Sequence, residues 1–449
     1  MRYILFLLSF FFSETLLSQP ANRLHAGPWA GNITTRTAVI WAEVSPASKF
    51  VAVKFYPAGK PTNALTVTHT VESGQSFYPV KIELNGLAMN TTYKYDLLID
   101  NVLQKVNFKT TFTTLDLWQW RKPAPDFTFL AGSCAYFNES VFDRPGKPYG
   151  GDSSIFETMA AAGGDFHIWM GDNWYTREVD FYSPWGLQYR ASHDRGLPVL
   201  QKFMASMPQY AIWDDHDFGP DNSGKSYQLR NESREVFMKY SLNPTYGENG
   251  KGVYSKVTYS DVDFFLTDDR FFRAEEDLAD SVYGHPNMNK TYFGEQQMDW
   301  LFNALLYSKA AFKIIVTGSQ VLNNMSTSEN MHRYPREYND LMNFISSQQI
   351  TGVIFMSGDR HHSEVIKLNR QDKYPLYDIT LSPYTAGISK VRGQEINNPQ
   401  RLEGTLVEEQ NFGKISVSGL KGNRIFSLAI IGIKGTTLGR WSVTEKDLQ

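Results

Sequence analysis

The residues of this chain able to do chemistry are gathered in short polar clusters, each set directly after an apolar run. Cys134, the single cysteine, follows 127–131 in Gly132-Ser133-Cys134. Asp172 and Tyr175 follow 166–170. Asp214, Asp215 and His216 follow 210–213, and Asp268, Asp269 and Arg270 follow 262–267. Gln320 follows 312–317, and Asp359, His361 and His362 follow 353–357. Unbroken apolar runs of about 4–8 residues read as strands buried on both faces. In open α/β sheets, binding sites form at the carboxyl ends of strands. Each cluster alone has a plainer reading. Asp172 in Gly-Asp-Asn suits a turn, Asp214-Asp215 suits a helix cap, and paired histidines suit one core and one surface residue. Thiol, phenol, carboxylate, amide and imidazole repeated at one strand end after another point instead to a metal site.

The donor types say which metals. A thiolate, a phenolate, a carboxylate and an imidazole favour a transition metal, and two anionic donors of this kind suit Fe³⁺ better than a divalent ion. The remaining carboxylates, the amide and a second imidazole suit Ca²⁺, Mn²⁺, Mg²⁺ or Zn²⁺. Asp172 is the carboxylate best placed to bridge two ions. Two ions ~3.5–4 Å apart form the usual clamp for attack on phosphorus.

Two kinds of element must position these groups. Residues 23–115 carry short alternating runs at 38–44, 50–55, 67–71, 80–84, 93–97 and 105–112, the pattern of an antiparallel sandwich. Trp41 is expected in its core, and 87–93 resembles the tyrosine corner of a fibronectin III-like module. After a linker at 115–126, apolar strands alternate with helices at 153–162, 197–206, 232–240, 295–308 and 337–347. Antiparallel strands follow at 414–417 and 424–430. This alternation implies an α/β core, two packed sheets flanked by helices in four α/β/β/α layers. The expected division is 1–19 export signal, 23–115 sandwich and 126–444 catalytic domain.

Composition narrows the function classes. Of 449 residues, 44 are Lys or Arg and 47 Asp or Glu, a net charge of −3. No basic excess suggests nucleic-acid binding. The 42% apolar content is ample for large cores. The first residues read as an export signal: Arg2, an apolar stretch at 3–12, then a polar end at 13–19. About ten apolar residues are too few to span a bilayer, and no other stretch reaches the ~18 required. A periplasmic or extracellular monomer is expected.

From Gly27 to about Arg440 the chain resembles the PhoD-like (alkaline phosphatase D) group of the calcineurin-like metallophosphoesterases. The matching pieces are Gly132-Ser133-Cys134, Gly171-Asp172 with Tyr175, Trp213-Asp214-Asp215-His216-Asp217, Asp268 with Arg270 and Arg273, Gly294-Glu295-Gln296 with Trp300-Leu301, Gln320-Val321, and Ser357-Gly358-Asp359-Arg360-His361. The resemblance implies that Cys134, Asp172, Tyr175 and His361 hold Fe³⁺. It implies that Asp172, Asp215 and Asp359 face Ca²⁺, with Gln320 where the superfamily often has a histidine ligand. His216 matches the histidine that contacts phosphate and protonates the leaving group. Arg270 is a candidate grip on two phosphate oxygens. Asn222 is close enough in sequence to Asp215 to contribute, and His362 is expected to support its neighbour rather than ligate. Two features depart from the family: the leader carries one arginine rather than two, and Asp217 stands where Glu is common.

The function expected is phosphate-ester hydrolysis by a hydroxide activated between two metals, with no covalent intermediate. The alternatives are a phosphodiesterase acting on phospholipid headgroups or polymer phosphodiesters, and a non-catalytic binding protein on a decayed scaffold. A Fe³⁺–tyrosinate redox protein has no flavin, haem or dinucleotide motif to support it.

Overall fold

The computed structural model describes residues 23–326 and 329–449. The export-signal reading lies outside the described residues. Two six-stranded sheets face each other in the larger part of the chain. In the first, Phe127–Gly132, Phe166–Met170 and Gln209–Ile212 run parallel, and Asn411–Ser418, Ile425–Gly432 and Thr437–Thr444 extend it antiparallel. In the second, Val262–Leu266, Phe312–Thr317, Val353–Ser357 and Lys373–Thr380 are parallel neighbours, edged by antiparallel Ser255–Tyr259 and Glu364–Arg370.

The parallel strands are apolar on both faces because both are covered. Their inner faces meet in one core. Phe129 lies flat on Phe166 (centroids 5.1 Å) and meets Phe264 of the opposite sheet edge-on at 5.1 Å. The outer face of the second sheet is covered by Gly294–Tyr307 and Pro335–Ser347, locked by Phe302 stacked on Phe344 at 4.0 Å. The outer face of the first is covered by Ile155–Ala162 and Pro198–Ser206. The four-layer arrangement is therefore as read from the sequence. Ile155–Ala162 ends at Gly163, which takes φ 64° while its N–H bonds Met159 O. At its start Ser154 makes no side-chain cap bond.

Leu24–Thr113 forms two antiparallel sheets. One contains Leu24–Gly31, Ala38–Val44 and Tyr78–Leu84. The other contains Leu65–Thr70, Phe50–Pro57 and Thr92–Ile99, with Thr111–Thr113 at its edge. Their facing side chains, among them Ile40, Val53, Ile82 and Leu97, form a separate core. The tyrosine corner forms: Ala88 N donates to Tyr93 Oη at 2.9 Å. The strand expected over 105–112 shrinks to Thr111–Thr113.

Trp41 is not in the sandwich core. On a strand alternate residues face opposite sides, so Ile40 and Ala42 point inward and Trp41 points out. It stacks on Trp29 at 4.2 Å and donates through Nε1 to Lys239 O at 2.8 Å. The nearby Lys81 Nζ donates to Ser241 O at 2.6 Å and to Met238 O. Both residues thus receive the carboxyl end of Arg230–Tyr240 from the larger unit. The sandwich is fastened by a shared core, consistent with a positioning role.

Several elements carried no sequence signal. Pro184–Gly196 is a helix of low apolar content whose buried face includes Arg190, Asp194 and Arg195. Apolar periodicity cannot reveal a helix buried through charged side chains.

Candidate metal centre

The clusters named from the sequence converge where the carboxyl ends of the two sheets meet. The approach requires glycines. A Cβ on Gly358 would lie 2.4 Å from Met170 O and 2.7 Å from Ser133 Cβ, so one sheet's strand end rests directly on the other's. Gly171, at φ 91°, would meet Asp214 Cβ at 2.6 Å. The turns that leave these strands are tight. Cys134 (φ 65°), Asp172 (φ 53°), Asp359 (φ 62°) and His361 (φ 55°) all adopt the left-handed conformation that non-glycine residues avoid. Backbone strain of about 1–3 kcal/mol per residue persists where surrounding structure imposes it, commonly at functional sites.

Asp172 is the hub. Its Oδ2 accepts from Tyr175 Oη at 2.9 Å and from Cys134 Sγ at 3.3 Å. His361 Nε2 lies 3.2 Å from the same Tyr175 hydroxyl. On the other side, Asp172 Oδ1 accepts from His216 N at 3.4 Å. Donor atoms of Cys134, Asp172 and His361 lie within 4.8 Å of one another, and so do those of Asp172, Asp215 and His216. The two groups share Asp172.

The electrostatics are those of a site built for cations. Burial pushes the Asp172 carboxyl well above its ordinary range, and Asp215, Asp217 and Asp359 push it further. Burial and Asp172 likewise raise the Cys134 thiol and the Tyr175 phenol. Asp359 is pushed up to about 7 by burial, then by Glu329. Burial lowers His361 to about 4, which keeps its imidazole neutral. Burial opposes ionisation of Asp215 too, but His216, Arg270 and the Asn222 N–H pull it below the ordinary carboxylate range. Asp172, Cys134, Tyr175 and Asp359 are held in their uncharged forms beside a neutral imidazole and the ionised Asp215 until a cation arrives. The donor set thus fits a resident metal.

Supporting groups appear that sequence reading did not single out. Ser133 Oγ and Ser382 Oγ each lie 3.2 Å from Cys134 Sγ, as hydroxyls able to stabilise a thiolate. Ser382 Oγ also accepts from His361 N at 3.0 Å. Tyr149 Oη lies 3.1 Å from His361 Nδ1. Ser133 lay in a recognised motif, whereas Ser382 and Tyr149 come from loops with no distinguishing pattern. Asn222 does contribute, through its backbone: its N–H donates to Asp215 Oδ2 at 2.7 Å. His362 is buried, with Nδ1 3.2 Å from Ser389 O, consistent with support rather than ligation.

Two expected site residues stand elsewhere. Gln320 has every hydrogen-bonding position engaged: its amide donates to Glu364 (2.7 Å) and Thr380 (2.8 Å), and its carbonyl accepts from Arg360 (2.7 Å) and Asn323 (3.0 Å). No lone pair is left for an ion, because the buried Arg360 and Asn323 already occupy the carbonyl oxygen. Arg270 is fully buried. It donates to Asp214 at 2.5 Å and to Glu329 at 2.5 and 3.3 Å, and lies 4.0 Å from Asp215. Its guanidinium is spent on carboxylates and presents no open edge to a phosphate. His216 does stand at the mouth. It stacks on Tyr175 at 4.1 Å, with Nε2 3.6 Å from the exposed Asp221.

The comparisons with known proteins agree with this geometry. Residues 129–414 match the model of the PhoD-like phosphatase family. Alkaline phosphatase D of Bacillus subtilis (strain 168) is 21% identical over 401 residues, covering 75% of this chain, which spans 64% of that relative's length. A solved structure of PhoD superimposes with a TM-score of 0.76 at 18% identity, over 95% of this chain and 90% of that one. With the family model spanning more than half of the chain, and the same fold recovered, this protein belongs to the PhoD-like phosphatase family.

Proposed function

We propose that this protein is an exported, metal-dependent phosphoesterase that hydrolyses phosphate mono- or diesters at the Asp172 centre. The observation that carries this reading is the sharing of Asp172 by two donor groups, one with Cys134 and His361, the other with Asp215 and His216. Cys134, Asp172, Tyr175 and His361 would hold Fe³⁺, and Asp172, Asp215 and Asp359 would hold Ca²⁺ or another divalent ion. When bound, such a pair supplies Lewis-acid activation of water and neutralises phosphate charge.

The chain's own residues do the rest. The deep half of the centre fixes Asp172 through Tyr175 and Cys134. The backbone bond from His216 N to Asp172 supports a role for its imidazole beside a phosphate held at that carboxylate. As water oxygen bonds to phosphorus and gives up one proton to solvent, the ester P–O bond breaks and the leaving oxygen takes a proton from His216 Nε2, which solvent then restores. Asp221 Oδ1 lies 3.6 Å from the same nitrogen. With Arg270 committed elsewhere, stabilisation of the phosphoryl charge falls to the cations and His216. The sandwich of 23–115 serves to hold the outer helices of the 126–444 unit. No helix among the described residues is long and apolar enough to cross a membrane.

Elemental analysis combined with a visible spectrum tests the metal half of this reading. A phenolate or thiolate on Fe³⁺ colours the protein, and a colourless zinc protein removes iron from it. The chemistry is tested by His216→Ala, which is expected to keep its metal and lose turnover of nitrophenyl phosphate. Unchanged turnover would remove His216 from the mechanism. Parallel rates on mono- and bis-nitrophenyl phosphate then assign monoester or diester preference.

A further inference from the structure

Tyr149 lies 212 positions from His361 in sequence and is 47% exposed, yet its ring is held on several sides. Tyr136 meets it edge-on at 4.9 Å and meets Tyr175 in the same way at 5.1 Å. Tyr136 is itself anchored, donating to Asp143 at 2.7 Å beneath the Arg177 guanidinium, 4.5 Å above its ring. On the far side Gly387 makes room: a Cβ there would lie 2.7 Å from Tyr149 Cε2. This packing brings Tyr149 Oη to 3.1 Å from His361 Nδ1, beside the Gly387 backbone, which also acts on the ring.

A neutral imidazole carries its proton on one nitrogen only, and the partner of one nitrogen decides the state of the other. If Tyr149 donated to Nδ1, Nε2 would carry the proton and face Tyr175 and Asp172 as a donor. If Tyr149 accepts from Nδ1–H, Nε2 faces them with a free lone pair. At 3.1 Å the contact allows either direction, and a cation at Nε2 selects the one in which Nδ1 donates.

We propose that Tyr149 is the positioning residue of His361, accepting its Nδ1–H bond and so fixing the ring with Nε2 turned to the metal. The inference rests on the metal reading above. Hydrogen bonds to the outer nitrogen of a ligating histidine are typically worth about 10–100-fold in metal affinity or activity.

The test compares the full-length protein with Tyr149→Phe, which keeps the ring and removes the acceptor, with His361→Ala and with the double variant. Each is reloaded with the metal found in the parent protein and titrated with EDTA while released metal is counted. Tyr149→Phe is expected to release its metal at about one-tenth of the parent's EDTA concentration or less, with an unchanged melting temperature in the metal-free form. His361→Ala releases more readily still, and the double variant no more readily than His361→Ala. Additive effects in the double variant overturn the proposal, because Tyr149 then acts through something other than His361. A parent-like EDTA curve for Tyr149→Phe with a changed KM for nitrophenyl phosphate also overturns it, making Tyr149 a substrate contact. If His361→Ala holds metal as the parent does, the metal reading fails and the inference with it.

Discussion

Two acid-rich regions lie side by side at the strand ends, and they solve the same problem differently. Around Arg270, the carboxylates of Asp214 and Glu329 are paired with a guanidinium that the fold itself supplies. Arg273 joins the network, 3.2 Å from Glu329. Around Asp172, the neighbours are a thiol, a phenol and further carboxylates, and among the described residues no lysine or arginine pairs with it. Buried charge must be paired or coordinated. The first region has settled its charge internally and is closed. The second is left in deficit, which is what a cation-binding centre requires. Acidic residues at strand ends therefore do not by themselves mark a site; the absence of an internal cation does.

The sharpest way to break this contrast is Asp172→Asn. It should empty both metal positions and lower kcat by about 10³-fold or more, since both donor groups share that carboxylate. Metal analysis and initial rates on nitrophenyl phosphate check it, and full activity in a metal-replete variant would sink the shared-carboxylate reading. Arg270→Ala should behave in the opposite way. It leaves Asp214 and Glu329 buried without their partner, so stability should fall by about 3–5 kcal/mol in urea unfolding, while the metal-to-protein ratio of the folded fraction is kept. Equal stability with a raised KM would restore Arg270 as a phosphate ligand.

The pH response sharpens the comparison further. Burial pushes Asp359, and separately Asp217, up to about 7 from an ordinary value of 3.8. For an acid whose pKa is raised in the folded state, the stabilising contribution is full below the unfolded value and is lost as pH rises through the folded one. The metal-free protein should thus lose about 4 kcal/mol for each of these two groups between about pH 4 and pH 7, measured by urea unfolding. Added metal should reverse the trend, because binding displaces those protons. The smallest effect is expected for Gln320→Ala. It should cost about 1–3 kcal/mol by leaving buried partners unsatisfied, with metal content and kcat unchanged. A loss of the second metal in this variant would return Gln320 to the ligand set.

How much of this was legible in the sequence follows from what each signal measures. The buried parallel strands are unbroken apolar runs, so their ends, and the polar residues after them, could be located at once. Cys134, Asp172, Asp215 and His361 were found because each follows such a run. Pro184–Gly196 was missed because its buried face is partly arginine and aspartate. Trp41 was assigned to the wrong side of its strand because Ala38–Val44 is buried throughout, and composition cannot tell two covered faces apart. Arg270 and Gln320 follow strands in the same way as the residues gathered around Asp172. Nothing in one dimension shows that Glu329, Asp214, Glu364 and Arg360 have already occupied them.

By itself, then, the sequence determined the layers, the strand ends and the chemical types gathered there, because burial and periodicity are local properties of the chain. Only the tertiary structure decided which of those types face one another. Pairing across the sheets depends on distances of about 3 Å between residues more than a hundred positions apart, such as Tyr149 and His361. It depends also on which buried charge finds an internal partner first. That competition left Arg270 closed and Asp172 open.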